Sequence, residues 1–299
     1  MTDDPAVPNH AAKRLGSEIA SLPSTLPVTV HIGYPRTAST FLTKQVYHRH
    51  PDIITIHELN QLSEQESAQQ FDGRSNVLVN PSMAAWIDRD RTDFAQFLKS
   101  ELPTARILCL IRDQREMIRS QYFLYLKMGG LRSLHSFAHS RMDRLLHYER
   151  LYDSYADAFG SSSLLFLPYE SLQEDRLAMI ERVLKWIGVD PTRLGTIDDE
   201  RVKPSSKGLV TSAIRLRNWM VAPITSLLPQ TIVDSIYRRG LAGASLIKKL
   251  EPYIPVRNET TLDQIIAQHY GAENDRLFEK IGLPAGAYGY PSARAAQAA

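Results

Sequence analysis

The chain has 299 residues, 43% of them hydrophobic, enough to bury one substantial core of α/β type. Lys and Arg number 35 against 33 Asp and Glu, a formal charge of +2; that balance excludes a general nucleic-acid binder but allows a local cationic pocket for a polyanion. With a single cysteine, Cys109, an intrachain disulfide is impossible, and no Cys/His spacing offers a zinc site or a trustworthy histidine metal pair.

Residues 1–27 read as a tail, with a short helix expected over Ala11 to Ala20. They lack the basic end and apolar core of a signal peptide, and no segment reaches the roughly 20 apolar residues of a membrane span, so a cytoplasmic protein is expected. Val28 to Ile32 predicts a buried strand ending in Gly33, followed by a loop of small and hydroxyl residues and a helix from Thr40 to His50. Strand, tight turn and helix start is the layout of a phosphate-binding loop, where backbone N–H groups and the positive helix end hold an anion. Measured against G-x-x-x-x-G-K-S/T, Gly33 stands first, Ala38 replaces the second glycine, Ser39 replaces the lysine and Thr40 fits. A cation sits inside the loop instead, at Arg36 after Pro35. Ala38 at a glycine place requires a negative φ there. An ordinary strand-turn-helix corner with polar capping residues is the plainer alternative for the same stretch.

His50-Pro51 ends that helix. Strands are predicted over Ile53 to Ile56 and Asn76 to Val79, then a helix over Arg91 to Leu102. Ala105 to Ile111 is apolar apart from Arg106, the pattern of a buried parallel strand, with Cys109 a small hydrophobe within it. It runs into Arg112-Asp113 and a helix over 114–128, in which Ser120 lies eight positions after Arg112. Helices over 133–139 and 141–159, a strand over 163–167, a Tyr169-Glu170 turn and a helix over 174–187 follow. Arg201 to Gly208 is a basic loop containing Pro and Gly, and the remainder reads as helical, over 209–221, 229–239 and 260–282. Strands alternating with helices argue for a parallel sheet with crossovers. Segment 209–255 is apolar with interspersed Arg and Lys: helices packed over the sheet, or a lid for a bulky acceptor.

Tyr34-Pro35-Arg36-Thr37-Ala38-Ser39-Thr40-Phe41 resembles the Y-P-K-S-G-T-T-W loop of sulfotransferases, enzymes that use 3′-phosphoadenosine 5′-phosphosulfate (PAPS) as sulfuryl donor. Arg112 to Ser120 is similar to that family's R-N-P-x-x-x-x-x-S segment. Weaker likenesses are Tyr169-Glu170 to a Y-E-D-L segment and Lys207-Gly208 to a late R-K-G loop, and Met128 to Phe137 and Gly286 to Pro291 read like bacterial members. The resemblance implies a three-layer, P-loop-like α/β fold over residues 28–291, between tails at 1–27 and 292–299, with a mostly helical C-terminal part. It implies that Thr37, Ala38, Ser39, Thr40 and Phe41 hold the 5′-phosphosulfate, that Arg36 takes the place of the catalytic lysine, and that Arg112 and Ser120 bind the 3′-phosphate. Tyr169 would lie near the adenine, and Lys207 and Gly208 would close over it.

Arginine stays charged in proteins, so Arg36 can stabilise a leaving phosphate but cannot shuttle a proton. A separate base is needed. Glu58 is preferred, because it falls seven positions after Pro51, as in the tyrosylprotein and carbohydrate branches; His57 is the rival, as in cytosolic branches. Ala38 and Phe41 depart from the family loop, and Val79-Asn80 replaces a lysine that several carbohydrate branches carry before a Ser-Pro. The expected activity is sulfuryl transfer from PAPS to a hydroxyl of a carbohydrate or small metabolite, releasing 3′-phosphoadenosine 5′-phosphate (PAP), without a metal; a homodimer is left open. One rival is a small-molecule P-loop kinase, which needs a loop lysine and a strand-end aspartate for Mg²⁺, with Asp113 the only prospect. The other is a non-catalytic nucleotide-binding adaptor.

Overall fold

A computed structural model describes residues 28–34, 36–56, 75–80, 91–142, 146–197, 218–219 and 259–294. They form two compact units. The expected helices at 11–20, 209–221 and 229–239 and the basic loop 201–208 lie outside the described residues, apart from Asn218 and Trp219, which are helical.

The first unit, drawn from Met1–Arg112, Leu145–Val202 and Glu273–Tyr288, is built on a five-stranded parallel sheet. The strands are β1 (Val28–Gly33), β2 (Ile53–Ile56), β3 (Ser75–Asn80), β4 (Arg106–Ile111) and β5 (Leu164–Pro168), in the order β2-β3-β1-β4-β5. All of β1 and β5, and β4 beyond Arg106, are buried, as expected when helices cover both faces of a parallel sheet. Leu108, Leu110, Leu165 and Leu167 share one face with Leu42, Val46 and Tyr47 and with Met179, Ile180, Val183, Leu184 and Ile187 of helix α7 (Arg176–Ile187). The opposite face presents Phe166 edge-on to Tyr152 of α5 (Tyr148–Phe159), with ring centroids 5.1 Å apart. Lys99 of α2 (Arg91–Glu101) lies over Phe159 at the end of α5. The expected three-layer α/β architecture is therefore the one observed.

Element boundaries differ from expectation in three places. The first helix is a single α-turn, α1 (Ser39–Phe41), that continues as a π-helical stretch over Leu42–Tyr47, with His48 N–H bonding Thr43 C=O. The helix expected over 141–159 starts at Tyr148. The helix expected over 174–187 is α7 and starts at Arg176, and the expected Tyr169-Glu170 turn is a short helix, α6 (Tyr169–Glu174): Asp175 between them adopts an extended backbone, and its carboxylate accepts the Ala178 N–H as the N-cap of α7. Gly188 ends α7 in the left-handed conformation, with its own N–H and that of Val189 both bonded to Leu184 C=O.

The second unit, drawn from Asp113–Arg144, Lys203–Ala272 and Gly289–Ala299, holds α3 (Gln114–Lys127), α4 (Leu134–Met142) and the first part of α8 (Glu259–Lys280). Tyr122 and Tyr125 of α3 pack on Phe137 of α4, and Arg119 forks onto both oxygens of Asp263 at 2.9 Å. Asn218 donates to the carbonyls of Leu126 and Gly130 past the end of α3. Among the described residues no helix is long and apolar enough to cross a membrane.

Candidate functional site

In an open α/β sheet, ligands collect beyond the carboxyl ends of the strands where successive connections leave in opposite directions. Here that point lies between β1, whose connection leads away to β2 and β3, and β4, whose connection leads to β5 on the other side. Register brings the three strand ends level: Gly33 pairs with Leu110, and Ile111 with Pro168. The residues immediately beyond are Tyr34 to Phe41, Arg112 and Tyr169, motifs far apart in the sequence.

They touch. Arg112 Nη1 donates to the Arg36 carbonyl at 3.2 Å, and the Arg112 guanidinium lies 4.9 Å from the centre of the Tyr169 ring. Tyr148, wholly buried, supports both sides: its hydroxyl donates to the Arg112 carbonyl at 2.6 Å, and its ring meets Tyr34 edge-on at 5.0 Å. The loop is pinned from within by Thr37, whose hydroxyl donates to the Tyr34 carbonyl at 2.6 Å. Arg36 and Thr40 are exposed, while Thr37 and Ser39 are buried. Phe41 packs against the core and carries the Arg176 guanidinium 5.7 Å from its ring centre.

The expectation that Ala38 keeps a negative φ is overturned. Ala38 has φ 65° and ψ 14°, and Arg36 has φ 77°. Both are left-handed, a conformation that crowds Cβ against the following carbonyl and costs roughly 1–2 kcal/mol per residue. Gly33 belongs to β1 and is not a positive-φ position. The turn is therefore made where the sequence has side chains, and strain of this kind gathers at functional loops. Ala38→Gly is expected to stabilise the protein by about 1 kcal/mol, raising the thermal midpoint by about 2–4 °C. An unchanged or lower midpoint by calorimetry would contradict the left-handed turn.

Ser120 is buried on α3 in the second unit. Asp113, the kinase prospect, is committed elsewhere: Oδ1 caps α3 by accepting the N–H groups of Arg115 and Glu116, and Oδ2 pairs with Arg115 at 2.7 Å. Glu58, His57, Lys207 and Gly208 lie outside the described residues.

Three side chains at this corner escaped the sequence reading. Tyr148 and Arg176 carried no signal beyond residue type. His31 did: it is the one titratable residue in the apolar run of β1. It is fully buried, and burial pushes its imidazole down to about 3, so the ring is neutral. Its Nδ1 lies 2.8 Å from the Tyr47 hydroxyl and its Nε2 3.4 Å from Ser39 Oγ.

The model of the sulfotransferase family matches residues 68–193, a stretch that includes Arg112, Ser120 and Tyr169 but not the loop at 34–41. The class that the motifs resemble is thus the class whose model this central segment matches, and sulfuryl transfer is the general chemistry it supports. No curated protein matches the sequence. Among solved structures, a sulfotransferase from Alicyclobacillus acidocaldarius is 16% identical, with 67% of this chain and 95% of that one covered and a TM-score of 0.44. Mouse sulfotransferase SULT7A1 complexed with PAP is 13% identical, covering 90% and 92%, with a TM-score of 0.47. The sulfotransferase STF9 from Mycobacterium avium is 12% identical, covering 78% and 80%, with a TM-score of 0.39.

Proposed function

We propose that the protein moves the sulfuryl group of PAPS to a hydroxyl of a carbohydrate or small metabolite in a cytoplasmic setting. The observation that carries this reading is the meeting of the Arg36 loop, Arg112 and Tyr169 at the ends of three adjacent strands. Arg112 suits the 3′-phosphate, because a guanidinium fork matches phosphate oxygens, and Ser120 is its proposed partner. Tyr169, buried beside Arg112, is proposed to lie near the adenine, and Phe41, partly buried at the helix start, to border the nucleotide. The backbone amides from Thr37 to Thr40 hold the 5′-phosphosulfate, and Lys207 and Gly208 close the nucleotide site.

The donor supplies an activated sulfuryl group whose leaving oxygen belongs to a phosphate. Positioning and charge stabilisation are what this chain must add. Arg36, exposed at the loop, neutralises the charge that builds on the leaving phosphate. Glu58 takes the acceptor's proton, with His57 the alternative base. The kinase reading loses support: Ser39 stands at the lysine place, and Asp113 is occupied as a helix cap and ion pair.

Calorimetric titration with PAP and, separately, with ATP and Mg²⁺ tests the proposal. PAP is expected to bind with micromolar or tighter affinity and Mg-ATP at least tenfold more weakly. A preference for Mg-ATP, or binding of neither nucleotide, would sink it.

A further inference from the structure

A buried histidine below a ligand loop is unusual in a parallel strand, where both neighbours and both faces are apolar. His31 pairs in register with Val79 of β3 and Leu108 of β4, and its ring is fully buried. Its two nitrogens face two hydroxyls from the segment that follows: Tyr47, at the end of the π-helical stretch, and Ser39, at the start of α1. The π-helical winding sets the position of Tyr47, whose ring also meets the imidazole edge-on at 5.8 Å.

The tautomer follows from counting protons. A neutral imidazole has one N–H donor and one bare nitrogen acceptor. Burial raises the Tyr47 phenol well above its ordinary value, so it keeps its proton. That proton needs an acceptor, and among the described residues the one within reach is His31 Nδ1. Nδ1 is therefore the bare nitrogen and Nε2 carries the hydrogen, aimed at Ser39 Oγ at the long end of hydrogen-bond distance, 3.4 Å. Ser39 Oγ accepts, which leaves its own proton to turn elsewhere. In the opposite tautomer Ser39 would donate downward to Nε2 and show only lone pairs to an anion.

We infer that His31 is a positioning residue: held by Tyr47, it fixes the Ser39 hydroxyl as a donor toward the anionic 5′ group of the nucleotide. This rests on the donor-site reading above, in which Ser39 belongs to the loop that holds that group. The relay makes the loop selective for an anion through a residue that never touches it.

The test has two parts. Nitrogen NMR of the wild-type protein is expected to place the His31 proton on Nε2; a proton on Nδ1 overturns the relay. PAP titrations then form a double-mutant cycle. His31→Phe and Ser39→Ala are each expected to weaken PAP about fivefold, with the double variant no weaker than Ser39→Ala alone. Tyr47→Phe serves if His31→Phe does not fold: it frees Nδ1, and its loss of about two- to fivefold should likewise vanish in the Ser39→Ala background. Equal losses in both backgrounds, or none, overturn the inference. A wild-type protein that ignores PAP refutes the donor reading instead, and the NMR result still decides the relay.

Discussion

Arg112→Ala is expected to weaken PAP binding by about 100-fold. Charge-assisted hydrogen bonds are each worth about 1.5–3 kcal/mol, and a 100-fold loss corresponds to about 2.7 kcal/mol. The side chain contributes twice in this reading, to the phosphate and to the loop, since its Nη1 also holds the Arg36 carbonyl. The substitution should spare the fold, because the Tyr148 bond at this position goes to the backbone carbonyl and survives in alanine. Arg112→Lys keeps the charge but loses the fork and the flat stacking on Tyr169, so it should recover only part of the affinity, leaving a deficit of about tenfold. Titration of both variants beside a thermal melt separates lost binding from lost folding. Wild-type affinity in Arg112→Ala would remove Arg112 from the site.

Arg36→Ala should have the opposite signature: turnover down by about 10²–10³-fold, with PAP affinity changed less than tenfold. Charge on the leaving phosphate builds as the bond to sulfur breaks, so a cation placed there stabilises the transition state more than bound PAPS and acts mainly on rate. Alanine is a clean replacement because it keeps the loop geometry. The left-handed φ of 77° stays equally unfavourable, and the carbonyl that accepts from Arg112 is unchanged. Glu58→Gln is expected to share the pattern, sparing PAP binding while cutting turnover by about 10²–10⁴-fold, as loss of a general base does. The rate of PAP release from PAPS, with an acceptor identified by screening, measures both. Turnover that survives in both variants would move the chemistry to other residues.

The winding of the loop could not be read from residue type. Ala38 at a glycine place argues for negative φ on local sterics alone, yet the backbone there is left-handed. Local preference is weak beside what the surroundings impose: the Thr37 bond to Tyr34, Tyr34 against Tyr148, and Arg112 on the Arg36 carbonyl together hold the turn. The start of α7 only after Asp175 has the same origin in reverse. Helical periodicity runs through 174–187, but the aspartate gains more as a cap of α7 than as a helical residue.

Sequence by itself determined the strands and which residue types stand at their ends. Apolar runs such as Val28 to Ile32 and Arg106 to Ile111 can be satisfied only by burial on both faces, and β1 and β4 form there. Arg112 and Tyr169 were legible because each directly follows a strand, and Arg36 because it stands in the loop three positions past Gly33; chain connectivity alone places them at strand ends. What only the tertiary structure decided is which strand ends are neighbours. The order β2-β3-β1-β4-β5 sets β1 beside β4 and β4 beside β5, so that three separate motifs meet. Pairing between strands many residues apart depends on the packing of the whole sheet, which no local pattern encodes. For the same reason His31 and Tyr47, sixteen positions apart, became partners only when the π-helical stretch folded back over β1.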